Sequence, residues 1–205
     1  MISRISFTAA AILALSVAMP ASAKIATGSN VSDMTVTDSN GHLHNLSDFA
    51  GQKVVLEWTN HGCPYVVKHY DTGNMQKTQK LATVDNDAVW LSIVSSAPGK
   101  QGYVSAEEAN ELTASRDAAP TAVVLDPSGT AGRTFSAKTT PHMFIIDENQ
   151  TLVYQGAIDD NSSFRKSSVK NANNYVLAAL DDLKAGANVA VSDTAPYGCS
   201  VKYGS

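Results

Sequence analysis

The sequence predicts an α/β fold: a mixed central sheet with helices on both faces, an N-terminal β-hairpin and an extended C-terminal tail. Three observations predict it. Short, largely apolar runs, KVVLEWT at 53–59 and VWLSIV at 89–94, read as strands buried on both faces. Helix-length segments alternate with them, which requires crossovers and hence parallel strands. Later, MFIID at 143–147 and LVYQG at 152–156 are separated only by a turn, which makes an antiparallel pair.

The elements follow in order. Residues 34–36 and 43–46 flank Asp38-Ser39-Asn40-Gly41, a strong turn signal, and form the hairpin. After the strand at 53–59 and the loop Asn60-His61-Gly62, Cys63-Pro64 opens a helical segment running to about residue 83. Pro64 suits the first helical turn, where a missing N–H costs nothing. Val66, Val67, Tyr70, Met75 and Leu81 supply its inner face, and Gly73 is its weak point. Ser105 opens a capping box, S-A-E-E, for a helix to about Arg116. Residues 121–125 form the next strand, closed by Asp126-Pro127-Ser128-Gly129, and residues 130–136 a short helix or turn. The hairpin strands at 143–147 and 152–156 follow, then a polar loop at 159–170. A helix spans 171–184, with Val176, Leu177, Leu180 and Leu183 on one face and Gly186 at its end. Residues 188–205 show no clear element.

Residues 1–23 read differently. Arg4 precedes an apolar run from Ala9 to Met19, and Ala21-Ser22-Ala23 supplies small residues for cleavage before Lys24. This is the pattern of a secretory signal peptide. The run is well short of the ~20 residues that span a bilayer, so no membrane insertion is expected after cleavage. The domain plan is therefore signal peptide at 1–23, one domain at 24–187 and a tail at 188–205 carrying Cys199. The signal's style points to the periplasm. Net charge is −4, with no basic cluster, which excludes a nucleic-acid surface.

Two cysteines are too few for a disulfide scaffold in a chain of 205 residues. Cys63 lies between a buried strand and a helix start, where unpaired N–H groups and the helix dipole stabilise a thiolate. His61, two residues earlier, supplies charge or accepts a proton. Cys199 sits in Pro196-Tyr197-Gly198-Cys199-Ser200, where Tyr-Gly before a cysteine marks a placed turn. Three arrangements stay open: a resolving thiol that folds back on Cys63, a permanent disulfide pinning the tail, or two thiols that never meet. A bridge would close a loop of well over a hundred residues, for which chain entropy gives ~4–5 kcal/mol. His42 and His44 alternate on a strand and face one side, toward solvent. His69 is placed on a helix surface, and Trp58 and Trp90 in the core, with Trp58 close enough to Cys63 to line a site.

The run WTNHGCPYV, the later TTPHMFIIDENQTLVYQG and the ending PYGCSVKY together resemble the thioredoxin-like superfamily. Within it the peroxiredoxin-like or redoxin branch, related to periplasmic thiol proteins of the TlpA and ResA type, is most similar. The resemblance implies a thioredoxin-like fold and a thiol oxidoreductase without cofactor or metal. It also implies that Thr140-Pro141 is a cis-proline loop beside the helix start, presenting its backbone to an incoming disulfide. Cys63 becomes the nucleophile, Cys199 a candidate resolving thiol, and Asn60, His61, Pro64, Thr140 and Pro141 the supporting groove. The partners implied are a protein or small-molecule disulfide or peroxide and a thiol electron donor. Three departures narrow the chemistry. Val66 stands where thioredoxins carry a second cysteine, and Asn60 where peroxiredoxins carry a peroxide-binding threonine. Pro141 and His142 stand where peroxiredoxins carry an arginine. The other readings are a thiol peroxidase and a non-enzymatic binding module, with His61, Cys63 and His142 converging on copper. Val67 replaces the second cysteine of Sco-type copper chaperones.

Overall fold

The computed structural model describes residues 25–31 and 34–204; residues 1–23, which the sequence analysis reads as a signal peptide, lie outside them. Two short strands, β1 (Thr35–Thr37) and β2 (Leu43–Asn45), form the hairpin. The central sheet contains β3 (Lys53–Trp58), β4 (Ala88–Val94), β5 (Ala122–Leu125), β7 (His142–Ile146) and β8 (Leu152–Gly156). Its order is β5-β4-β3-β7-β8; β3, β4 and β5 run parallel, while β7 is antiparallel to both β3 and β8. The helices are α1 (Pro64–Asp71), α2 (Asn74–Lys80), α3 (Ala106–Ser115), α4 (Thr130–Thr134) and α5 (Tyr175–Lys184). This is the mixed-sheet, thioredoxin-like architecture the sequence predicts.

Strand alternation divides the core. Val54, Leu56, Trp58, Leu91, Ile93, Phe144 and Ile146 pack on one face with Val36 of the hairpin and Ala131 of α4. Val55, Trp90, Met143 and Ile145 pack on the other with Val66, Met75, Val176 and Leu180 from α1, α2 and α5. α3 covers the β5 end of that second face through Ala109, against Val94 and Val123. Both tryptophans are fully buried, as expected. Trp58 rests on Phe135 and Phe144, with its indole N–H donating to Ser95 Oγ at 3.0 Å.

Several local expectations are corrected. The segment after Cys63 is two helices rather than one, broken at Gly73 in the left-handed region (φ 72°); a π turn, Leu81–Asp85, continues α2. The last helix starts later than residue 171. Asn174 caps it by accepting from the Leu177 N–H at 3.0 Å, after a 3-10 turn at Lys166–Asn171. His69 is not on the surface but fully buried. The tail is not featureless: Cys199–Ser200 form β9, which pairs with β6 (Thr139–Thr140).

His42 and His44 do not simply face solvent. Both rings reach the buried Asp38, at 3.3 and 3.0 Å from Oδ2. Burial pushes this carboxyl up, but the bonds from His44, from the His42 and Asn40 N–H groups and from the His42 ring outweigh it and bring it to about 2 from 3.8. A depressed carboxyl stabilises the fold above its unfolded value, and that stability is lost as pH falls through the folded value. Asp38→Asn should therefore flatten the decline in melting temperature between about pH 5 and pH 2, with roughly 2 kcal/mol lost at neutral pH. Thermal unfolding across that range measures both, and an unchanged slope would show that Asp38 is not the group titrating.

Candidate thiol site

The site is built where β3 ends. Cys63 is the N-cap of α1 and Pro64 occupies its first turn. Asn60 and Gly62 shape the approach. Cys63 N–H donates to Asn60 O at 3.0 Å, and Gly62 N–H donates to Asn60 Oδ1 at 3.0 Å. The Asn60 amide N–H₂ donates to Gln101 O and Oε1 at 3.2 and 3.1 Å. Asn60 is thus a loop brace, with both ends of its side chain committed. The Thr140-Pro141 bond is cis, as the resemblance implies. Its loop lies against the α1 start, and Cys63 Sγ is 3.1 Å from Thr140 O.

The tail completes the site. Thr139 pairs with Ser200 and Thr140 with Cys199, which brings the Cys63 and Cys199 sulfurs to 2.7 Å. Both thiols are free. Closing that gap to a bond of about 2.05 Å needs less than 1 Å of movement. Cys63 is fully buried, whereas Cys199 keeps part of its surface in solvent.

The two thiols are electrostatically unequal. Burial pushes Cys63 up. The Cys199 thiol, the Val66 and Cys199 N–H groups and the Thr140 hydroxyl outweigh it, so the net shift is down from 9.0. Cys199 is pushed up to about 11 by burial and by the Cys63 sulfur itself, against the opposing Lys202. When the pair loses its first proton, the charge falls on Cys63 rather than on Cys199.

Tail docking is secured on both sides of Cys199. Upstream, Tyr197 Oη donates to Asp159 Oδ1 and lies 3.1 Å from His69 Nε2. His69 Nδ1 accepts from the Asn74 amide at 2.8 Å, so Nε2 carries the proton and donates to Tyr197. Burial and neighbouring Lys68 push His69 down to about 3, which keeps the ring neutral. Lys68 Nζ sits 4.8 Å over the Tyr197 ring and donates to Asn161 O and Ser163 O at 2.8 and 2.7 Å. Downstream, Val201 N–H donates to Lys138 O at 3.0 Å, and Lys202 O accepts from Ala97 N–H at 2.9 Å. Tyr203 Oη donates to Ala137 O at 2.8 Å, and Gly204 O accepts from Arg133 at 2.8 Å.

The structure brings Cys63, Cys199, Pro64, Thr140 and Pro141 together, with Asn60 beneath them. The histidines part company. His61 lines a small cavity of about 50 Å³ under α3 with Arg116, which donates to His61 O at 3.3 Å. Burial and Arg116 lower His61, with Glu108 opposing. His142 Nδ1 accepts from Lys138 N–H at 3.2 Å, and its ring lies tilted against Phe144 with the centroids 4.4 Å apart. No group of three or more metal-ligating side chains occurs among the described residues.

Sequence reasoning missed the Tyr197–His69–Asp159 anchor and Glu57. Glu57 is fully buried and accepts from Tyr70, Trp90, Ser92 and Gln79. Burial pushes its carboxyl up against those bonds. The available signal was a lone charge inside an otherwise apolar strand.

The Redoxin family profile matches residues 26–176. A hypothetical protein from Sinorhizobium meliloti superimposes with a TM-score of 0.75 at 21% identity, over 89% of this chain and 97% of that one. An uncharacterized conserved protein from Geobacillus kaustophilus does so with a TM-score of 0.71 at 22% identity, over 92% and 98%. At these identities the two show a shared fold. No curated protein matches the chain. With a thiol at a helix start, a cis-proline loop against it and a family match over most of its length, this chain belongs to the Redoxin family, the thioredoxin-like thiol-dependent oxidoreductases.

Proposed function

We propose that this protein is an exported thiol–disulfide oxidoreductase whose redox couple is Cys63 and Cys199 within one chain. The observation that carries the reading is the 2.7 Å separation of the two sulfurs across the cis-proline loop. Two thiols brought that close by strand pairing can pass two electrons to a partner disulfide and bond to each other with only a small movement of the sulfurs. The lowered Cys63 provides a thiolate nucleophile, and the neighbouring thiol protects it from the irreversible steps of the oxidation ladder. Export is supported by the charge, apolar run and small-residue site in residues 1–23. Periplasmic material should begin at Lys24. The partners are a protein or small-molecule disulfide and a thiol electron donor. The peroxidase reading has less support, because Asn60, which stands in the peroxide-binding place, spends its amide on Gln101 and Gly62.

Mass spectrometry of non-reduced digests after mild oxidation tests the couple. The expected result is a linked Cys63–Cys199 peptide that disappears with dithiothreitol. Cys63 recovered as sulfinic acid, or in an intermolecular dimer, would remove Cys199 from the reaction.

A further inference from the structure

We propose that an incoming thiolate attacks the oxidised protein at Cys199 and not at Cys63, so that the tail sulfur forms the mixed disulfide with the partner. This rests on the Cys63–Cys199 couple proposed above and assigns the roles within it. Thiol–disulfide exchange requires the nucleophile to reach the sulfur it attacks. Cys63 offers no exposed surface. The α1 start and the Thr140 carbonyl enclose it, and Cys199 occupies its remaining side. Cys199 is partly exposed and is followed by the exposed Ser200.

Tail anchoring strengthens the asymmetry. Exposing Cys63 means lifting a segment held by Tyr197 upstream and by four backbone or side-chain hydrogen bonds over residues 201–204 downstream. Exposing Cys199 requires no such movement. The two sulfurs therefore have distinct jobs. Cys63 is the nucleophile inside the protein, and Cys199 is the sulfur that meets the partner.

In this exchange a partner thiolate forms a bond to Cys199 Sγ while the Cys199–Cys63 bond breaks. The electron pair of that bond leaves on Cys63 Sγ, which becomes a thiolate. With a dithiol partner, the second partner thiolate then attacks its own sulfur in the mixed disulfide. Cys199 leaves and takes up a proton, so the protein disulfide is reduced and the partner dithiol oxidised. Leaving-group chemistry favours the same direction. The better-stabilised thiolate departs faster, and Cys63 Sγ leaves at the α1 start with the Val66 and Cys199 N–H groups and the Thr140 hydroxyl around it.

The test uses the full mature chain, oxidised to the intrachain disulfide. Glutathione is added for a series of short times, the mixture is quenched in acid, and free thiols are alkylated with N-ethylmaleimide before non-reducing peptide mapping. At the earliest times glutathione should be found on the Cys199 peptide and N-ethylmaleimide on the Cys63 peptide, in at least about ten-fold excess over the reverse pattern. Glutathione mainly on Cys63 would overturn the proposal and show that the tail lifts before exchange. A chain that never forms the starting disulfide fails before glutathione is added, which overturns the couple itself and is distinguishable from either result.

Discussion

Alanine at position 198 should separate the two sulfurs while leaving the central sheet intact. Gly198 has φ 138°, a conformation that L side chains rarely adopt. A Cβ built there would lie 2.1 Å from Thr140 O and 2.7 Å from its carbonyl carbon. Both are backbone atoms of the cis-proline loop, so the tail must move instead. Cys199 is the next residue, and the displacement falls on its pairing with Thr140. In Gly198→Ala the intrachain disulfide should form at least about ten-fold more slowly, because the sulfurs lose the geometry that bond formation demands. Cys63, freed from its cover, should be alkylated correspondingly faster. The five-stranded sheet gains or loses nothing, so the cost to stability should stay near that of a few hydrogen bonds, about 1–4 kcal/mol. Timed alkylation with peptide mapping reads the first two effects and denaturant unfolding the third. Native disulfide kinetics in this variant would mean that the tail does not work by docking on Thr140.

Cys63 should ionise below its ordinary value, and Cys199→Ala should move that midpoint up. Burial alone raises a thiol, so the lowered value depends on donors around the sulfur. The first of them is the Cys199 thiol at 2.7 Å. Alanine removes it and leaves the Val66 N–H, the backbone N–H of position 199, the Thr140 hydroxyl and the burial. The balance then moves toward the protonated form. Thiolate absorbance near 240 nm, which needs no reagent to enter the site, should rise in the reduced native protein with a midpoint below 9.0. In the variant it should rise at a higher pH, with several-fold less thiolate at neutral pH, the change expected when one hydrogen bond to a charged sulfur is lost. Equal midpoints would assign the lowering to the helix start and not to the second thiol.

Much of the fold was legible because strand burial and turn chemistry are local. KVVLEWT, VWLSIV and the MFIID–LVYQG pair fall on β3, β4, β7 and β8 to within a residue or two. The Ser105 capping box is realised, with its hydroxyl accepting from the Glu108 N–H at 3.2 Å and the Glu108 carboxylate accepting from the Ser105 N–H at 2.7 Å. Misreadings arose where distant segments decide burial. His69 falls on the outer side of α1 by helical periodicity, yet it is buried because Tyr197 and the loop carrying Asp159 close over it. His42 and His44 looked like a solvent face because nothing in their own segment reveals that Asp38, in the turn, folds back between them.

The sequence by itself determined the chemistry available. It places a thiol at a helix start after a buried strand, followed by Pro64, denies it a local partner at Val66, and leaves Cys199 as the one other cysteine. Only the tertiary structure decided what those groups do to one another. The pairing of β9 with β6 sets a 2.7 Å contact between residues 136 positions apart, makes one sulfur buried and low and the other partly exposed and high, and fixes the tail through Tyr197. A two-residue strand has too little pattern to be read from sequence. Its stability comes from the anchors on either side of it, and those are contacts between segments rather than properties of any one of them.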